Sequence, residues 1–184
     1  RCLYFSAMHV QGKENKDWNN FGKPSAAFMK ECIQPLPEVE ACTAFSTADV
    51  ALVSLTDGNN RLKVDAMSTD PDFWKIFKLQ FLDGKSFTEA ERGGDMQSVV
   101  ISASVARKLF GTTEAAGRQM LLNREVVRII GVVKDVSVTA KDAYAQVWSM
   151  YHSNELNVTG WWSYNGNRTI AVLARTPDDF PAIK

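Results

Sequence analysis

Hydrophobic residues recur along this chain in short runs whose period changes often, as in a domain that mixes small helices with many strands. Phe28, Cys32 and Ile33 fall at helical spacing behind Pro24, and Pro35 and Pro37 close the run, so residues 24–34 predict a helix. Residues 39–45 alternate as a half-buried strand does. Residues 50–56 and 61–67 are two more strand-like runs, joined by Asp57-Gly58-Asn59-Asn60, whose Gly and Asn suit a tight hairpin turn. Asp70, Pro71 and Asp72 then supply a cap, a first-turn proline and a charge for the positive helix end. Phe73, Ile76 and Phe77 follow on one face. Phe73 and Phe77, four apart, are expected to be buried together against the 99–101 strand and the Leu109/Phe110 helix.

Gly84 is expected in a turn after Phe81-Leu82-Asp83, and Thr88-Glu89-Ala90-Glu91 has capping-box spacing. Arg92-Gly93-Gly94-Asp95 reads as a polar surface loop. Ser98 to Ile101 is a short apolar strand. Ser102 caps a helix over 103–110 in which Val105/Leu109 and Ala106/Phe110 are pairs four apart, and Gly111 ends it. Residues 118–122 and 125–133 form a second hairpin about Asn123-Arg124. Signals weaken after Asp135 until the strand-like Gln146 to Tyr151. Tyr164 to Asn167 is a turn, residues 168–175 alternate again, and Pro177-Asp178-Asp179 opens a last helix. The class is α+β, a mixed α/β domain.

Composition narrows what such a domain can do. With 184 residues and 45% hydrophobic content, the chain can bury a core without metal or disulfide support. Lys+Arg and Asp+Glu are 21 each, so the basic excess that nucleic-acid binding needs is missing. The longest apolar run, residues 129–133, is far short of the roughly 20 residues that span a bilayer. Residues 2–10 contain Ser6 and His9 and lack a preceding basic stretch, so they make a poor signal-peptide core.

Reactive chemistry has little to work with. Cys2, Cys32 and Cys42 form no CxxC pair, and His9 and His152 are the only histidines, so no zinc site of usual spacing is available. Cys32 and Cys42 are either a bridge or two buried thiols. No GxSxG, HExxH or Walker A pattern occurs, and Gly93-Gly94 lacks the Lys-Ser/Thr that would make it a phosphate loop. Glu89/Glu91 and Asp178/Asp179 read as solvated caps. Trp161, Trp162 and Tyr164 either pack a hairpin or offer a surface to a sugar or lipid. Asn157-Val158-Thr159 and Asn167-Arg168-Thr169 fit the glycosylation pattern, a match frequent by chance. No catalytic, cofactor-binding or metal-ligating residue is nominated.

Three ordered blocks carry a resemblance. Residues 70–79 with Phe81-Leu82-Asp83-Gly84-Lys85-Ser86-Phe87 resemble the stretch dFFkvF.l.ll.Gr.F, with Trp74 in place of a second Phe. Residues 99–102 through 106–111 are similar to vViSe.lAkklFG. Residues 116–119 and 126–135 are similar to iGk.i…ytViGVvkD, with Ala116 for Ile and Arg128 where Thr or Val is common. Together they resemble the MacB-like periplasmic core domain of bacterial ABC-transporter permeases. The resemblance implies two lobes: a discontinuous membrane-proximal lobe over 1–63 and 124–184, and an inserted smaller lobe over 64–123. It implies a non-catalytic periplasmic domain of an inner-membrane protein that couples cytoplasmic ATP hydrolysis to movement of a periplasmic partner or cargo. It also implies an ATPase reached through flanking transmembrane helices, a periplasmic adaptor or cargo, and a dimer of the full permease. The alternative is a secreted glycan- or peptide-binding module built on Trp161 and Trp162.

Overall fold

The computed structural model describes residues 2–11 and 19–183, which fall into two compact units. The first comprises the two ends of the chain, up to Ser46 and from His152 onward; the second runs from Thr47 to Tyr151.

In the first unit, β1 (Cys2–Phe5), β13 (Arg168–Ala174) and β4 (Val39–Ser46) form an antiparallel sheet with β13 in the middle. Cys2 stands opposite Leu173 and Phe5 opposite Ile170; on the other side Val39 stands opposite Ala174 and Ser46 opposite Arg168. A second small sheet pairs β2 (Met8–Gln11), β3 (Asn19–Pro24) and β12 (Asn165–Gly166). The helical run expected at 24–34 is present as α1 (Ala26–Phe28) continued by a π turn (Met29–Ile33). Its cap is Ser25, whose Oγ accepts from the Phe28 N–H at 3.1 Å, while Pro24 closes β3. Ala26, Ala27, Met29 and Ile33 are buried. The chain ends in a 3₁₀ turn (Pro177–Asp179) and the short α4 (Phe180–Ile183).

The second unit is built on seven strands: β5 (Asp49–Ser54), β6 (Leu62–Thr69), β7 (Phe81–Gly84), β8 (Ser98–Ser102), β9 (Gln119–Leu122), β10 (Glu125–Val133) and β11 (Val147–Met150). Their order is β7-β10-β8-β11-β6-β5-β9, and β9 also pairs with β10. Six of them therefore close on themselves, and β7 extends the far half of β10. Closure removes the exposed edges that an open sheet would leave. Ala51, Val53, Val64, Val99, Ile101, Met120, Val127, Ile129 and Val147 all point into one buried cluster. Helix α3 (Ala103–Phe110), capped by Ser102 and ended by Gly111 at φ 73°, adds Val105, Ala106 and Leu109 to it.

A bulge in β10 re-aims its side chains. Pairing with β8 skips from Ile129 to Gly131, so the inward position moves from odd to even and Val132 joins the cluster. The same stretch needs glycine. A Cβ on Gly131 would lie 2.3 Å from the Lys85 carbonyl oxygen and 2.7 Å from the Phe81 ring, and one on Gly84, opposite in β7, 2.1 Å from the Ile130 oxygen. Gly84 thus ends a strand pressed on β10 rather than marking a simple turn.

The opposite face of the sheet carries the aromatic payload. α2 (Asp72–Phe77) starts where Asp70 Oδ1 accepts from the Asp72 and Phe73 N–H groups, and it stops at Lys78 with φ 50°. Trp74 lies within 5.3–6.0 Å of Phe81, Phe87 and Trp148, and Phe73 lies 4.5 Å from Phe77. Phe73 is fully buried, whereas Phe77 is only half-buried. The expectation that both pack on Leu109 and Phe110 is corrected. Leu109 belongs to the cluster inside the closed strands, while the α2 rings lie with Trp148, whose neighbour Val147 takes the inner face.

The seams at Ser46/Thr47 and Tyr151/His152 differ from the boundaries 63/64 and 123/124 expected from sequence. Those positions fall inside hairpins. Lys63 in β6 is paired with Leu52, and Leu122 with Glu125 across the tight turn. A boundary at either position would cut through a paired hairpin.

Candidate functional site

The histidines, cysteines and acidic pairs weighed in the sequence are dispersed through the structure. His9 stacks on Phe21 across β2 and β3 with centroids 4.2 Å apart. His152 is exposed just before a 3₁₀ turn (Ser153–Leu156). Glu91 closes the Thr88 capping box, accepting from the Thr88 N–H at 2.7 Å and its hydroxyl at 2.5 Å. Those bonds, the hydroxyl's first, hold its carboxyl below the ordinary range despite partial burial. Asp179 closes the Thr176 capping box, accepting from the Thr176 N–H at 2.8 Å and its hydroxyl at 2.9 Å. Cys32 is exposed and Cys42 buried in β4; they are separate thiols, which corrects the reading of Cys32 as buried. Partial desolvation of this exposed Cys32 thiol, with the Glu31 charge beside it, pushes it up. Among the described residues no group of three or more His, Cys, Asp or Glu is placed to hold a metal ion.

The aromatic segment is a docked turn with one face open. The 3₁₀ turn Trp161–Tyr164 is fastened to α1: Ser25 donates through Oγ to the Ser163 carbonyl at 2.6 Å, and its N–H to that of Tyr164 at 2.9 Å. Tyr164 meets Phe28 edge-on at 5.9 Å and donates to Glu31 at 3.1 Å, a bond that raises its phenol. Trp162 is 57% exposed and its ring lies over Gly160, where a Cβ would stand 2.4 Å from the indole. The Trp161 side chain lies outside the described residues.

Sequence reasoning missed two ionic networks. In the second unit, Tyr151 is held at every polar group. Its hydroxyl donates to the buried Asp70 at 3.2 Å, its N–H to the Thr69 carbonyl at 3.1 Å, and its carbonyl accepts from Arg92 at 3.0 Å. The Arg92 guanidinium sits 4.9 Å from the Tyr151 ring centroid and forms a fork on Glu89 at 2.7 and 2.9 Å. Arg92, expected in a solvated loop, is thus mostly covered, and the Glu89 pairing holds its charge more firmly than usual. In the first unit the buried Arg168 binds the Glu155 carboxylate through Nε and a terminal nitrogen. Its signal was in the alternation. Arg168 has the parity of Ile170, Val172 and Ala174, all buried, so an arginine in that row needs a partner.

These features hold backbone in place; none sets a nucleophile against a base. The sequence profile of the MacB-like periplasmic core domain matches residues 5–184. The chain belongs to that family. It is the periplasmic core domain of a MacB-like ABC-transporter permease, an extracytoplasmic part of an inner-membrane protein. The macrolide export ATP-binding/permease protein MacB of Wolinella succinogenes is 26% identical over 149 residues, covering 80% of this chain. That of Chromobacterium violaceum is 31% identical over 80 residues, 44% of this chain. The chain spans 23% and 12% of those relatives' lengths. Among solved structures, the periplasmic region of MacB from Actinobacillus actinomycetemcomitans superposes with a TM-score of 0.69 at 16% identity, covering 99% of this chain and 80% of that one. The extracellular domain of the noncanonic ABC-type transporter YknZ from Gram-positive bacteria gives 0.67 at 16% identity, covering 98% and 88%. The fold is therefore that of MacB-type periplasmic domains. Among the described residues no helix is long and apolar enough to cross a membrane.

Proposed function

We propose that this MacB-like core domain is a non-catalytic coupling element. It passes motion generated by a cytoplasmic ATPase to a periplasmic adaptor or cargo, within a dimeric permease. The ATPase would be reached through transmembrane helices flanking the chain. One observation carries the reading. The first and last described strands meet at the same end of the three-stranded sheet, Cys2 opposite Leu173, while the other end carries Ser46, from which the chain enters the second unit. Displacement of the termini would travel along the strands to that end, across ladders that resist it through every hydrogen bond at once. The first unit is then the membrane-proximal lobe.

The test uses the complete permease with its ATPase. Replacing residues 47–151 by a short Gly-Ser linker should leave ATP hydrolysis and membrane insertion intact and abolish export. Export that persists overturns the reading, as does a complete protein lacking apolar spans of about 20 residues on either side of this chain. A second reading, recognition of a glycan or peptide, rests on the exposed Trp162. Trp162→Ala would then abolish binding to a glycan or peptide array without changing the melt.

A further inference from the structure

The chain leaves the first unit once and returns to it once, and a buried charge stands beside both passages. β4 ends at Ser46, the last residue before the first passage, and Ser46 is paired with Arg168. On return, the exposed His152, Ser153 and Asn154 lead to Glu155. The Arg168 Nε donates to Glu155 at 3.1 Å and a terminal nitrogen donates to the same oxygen. Arg168 is 4% exposed, whereas the Glu155 side chain keeps 35% of its surface. Through its backbone Arg168 therefore meets the outgoing strand, and through its side chain the returning segment.

We infer that Arg168 and Glu155 form a latch that joins the outgoing and returning chain of the first unit into one body, so that a displacement at either passage is delivered to both. Arg168 occupies the row of Ile170, Val172 and Ala174, where an apolar side chain of the same volume would avoid the desolvation of a guanidinium. An apolar side chain would not hold the returning segment in one direction and register, as a guanidinium on a carboxylate does. The latch involves the first unit alone and stands or falls independently of the transport reading.

Hydrogen exchange by mass spectrometry on the 184-residue chain tests it. Arg168→Met keeps the volume and removes the buried charge, and the half-exposed Glu155 can turn to water, so the melt should stay close to that of the parent. Peptides over 43–47 and over 153–157 should both exchange faster, by about tenfold or more, while those over 98–102 and 126–133 are unchanged. Arg168→Lys, which keeps charge without the planar fork, should fall between. Faster exchange at 153–157 alone overturns the latch, as does no change at either passage or a uniform rise that includes 98–102. If Arg168→Met does not fold, Glu155→Gln is read by the same peptides and the same outcomes decide.

Discussion

Replacing Phe73 by alanine should be among the most damaging single changes in the second unit. The ring is fully buried, tilted against Phe77 at 4.5 Å and set edge-on to Trp74 at 5.4 Å. An aromatic side chain buries roughly 150–250 Å², which at about 25 cal/mol per Å² is worth roughly 4–6 kcal/mol. Alanine keeps part of that area, and the cavity left behind restores part of the cost, so about 3–5 kcal/mol is expected. Phe77 is half-buried, so Phe77→Ala forfeits only part of its area and should cost about 1–2 kcal/mol. Urea unfolding followed by circular dichroism measures both. Near 2–4 °C per kcal/mol for a chain of this size, Phe73→Ala should melt about 10 °C lower. Hydrogen exchange should place the loss in β8, β10 and β11, and leave β1 and β13 protected. A Phe77→Ala loss equal to or larger than that of Phe73→Ala would refute the packing described here. A Phe73→Ala cost below about 1 kcal/mol would refute it too.

Gly131→Ala should destabilise by about 1–3 kcal/mol or more, because its Cβ would meet the Lys85 carbonyl rather than a mobile side-chain tip; protection of the β7 amides would fall first in hydrogen exchange. Tyr151→Phe takes one donor from the buried Asp70 and should cost about 1–3 kcal/mol in denaturant melts, whereas Tyr144→Phe, whose hydroxyl donates to Asp65 in a less buried setting, should cost less. Glu91 is held below its ordinary range by Thr88, so its share of stability is complete above that range and fades as pH falls through the lowered value. Melts between about pH 5 and pH 3 should therefore lose stability on acidification, and Glu91→Gln should flatten that loss; an unchanged slope refutes the assignment.

What local chemistry can specify was legible in the residues. Asp70, Pro71 and Asp72 start α2, Ser102 and Gly111 bound α3, and Asn123-Arg124 makes a tight turn with both residues at positive φ, 50° and 77°. The spaced blocks around Phe73, Ile101 and Gly131 carried the family, and with it the extracytoplasmic location. These features depend on neighbours within a few positions, which a linear pattern contains. Strands β1 and β3 carried no such signal, because β1 pairs with β13 and β3 with β12, each more than a hundred residues away. Closure of the six strands, the pairing of β9 with β5, and hence the seams at 46/47 and 151/152 are likewise properties of long-range pairing. So is the parity shift at Ile130, which brings Val132 rather than Val133 into the inner cluster. Arg168 shows the division most clearly. Alternation alone placed a charge in a buried row; only the fold brought Glu155 to it, because a partner thirteen residues back along an irregular segment is selected by geometry and not by spacing.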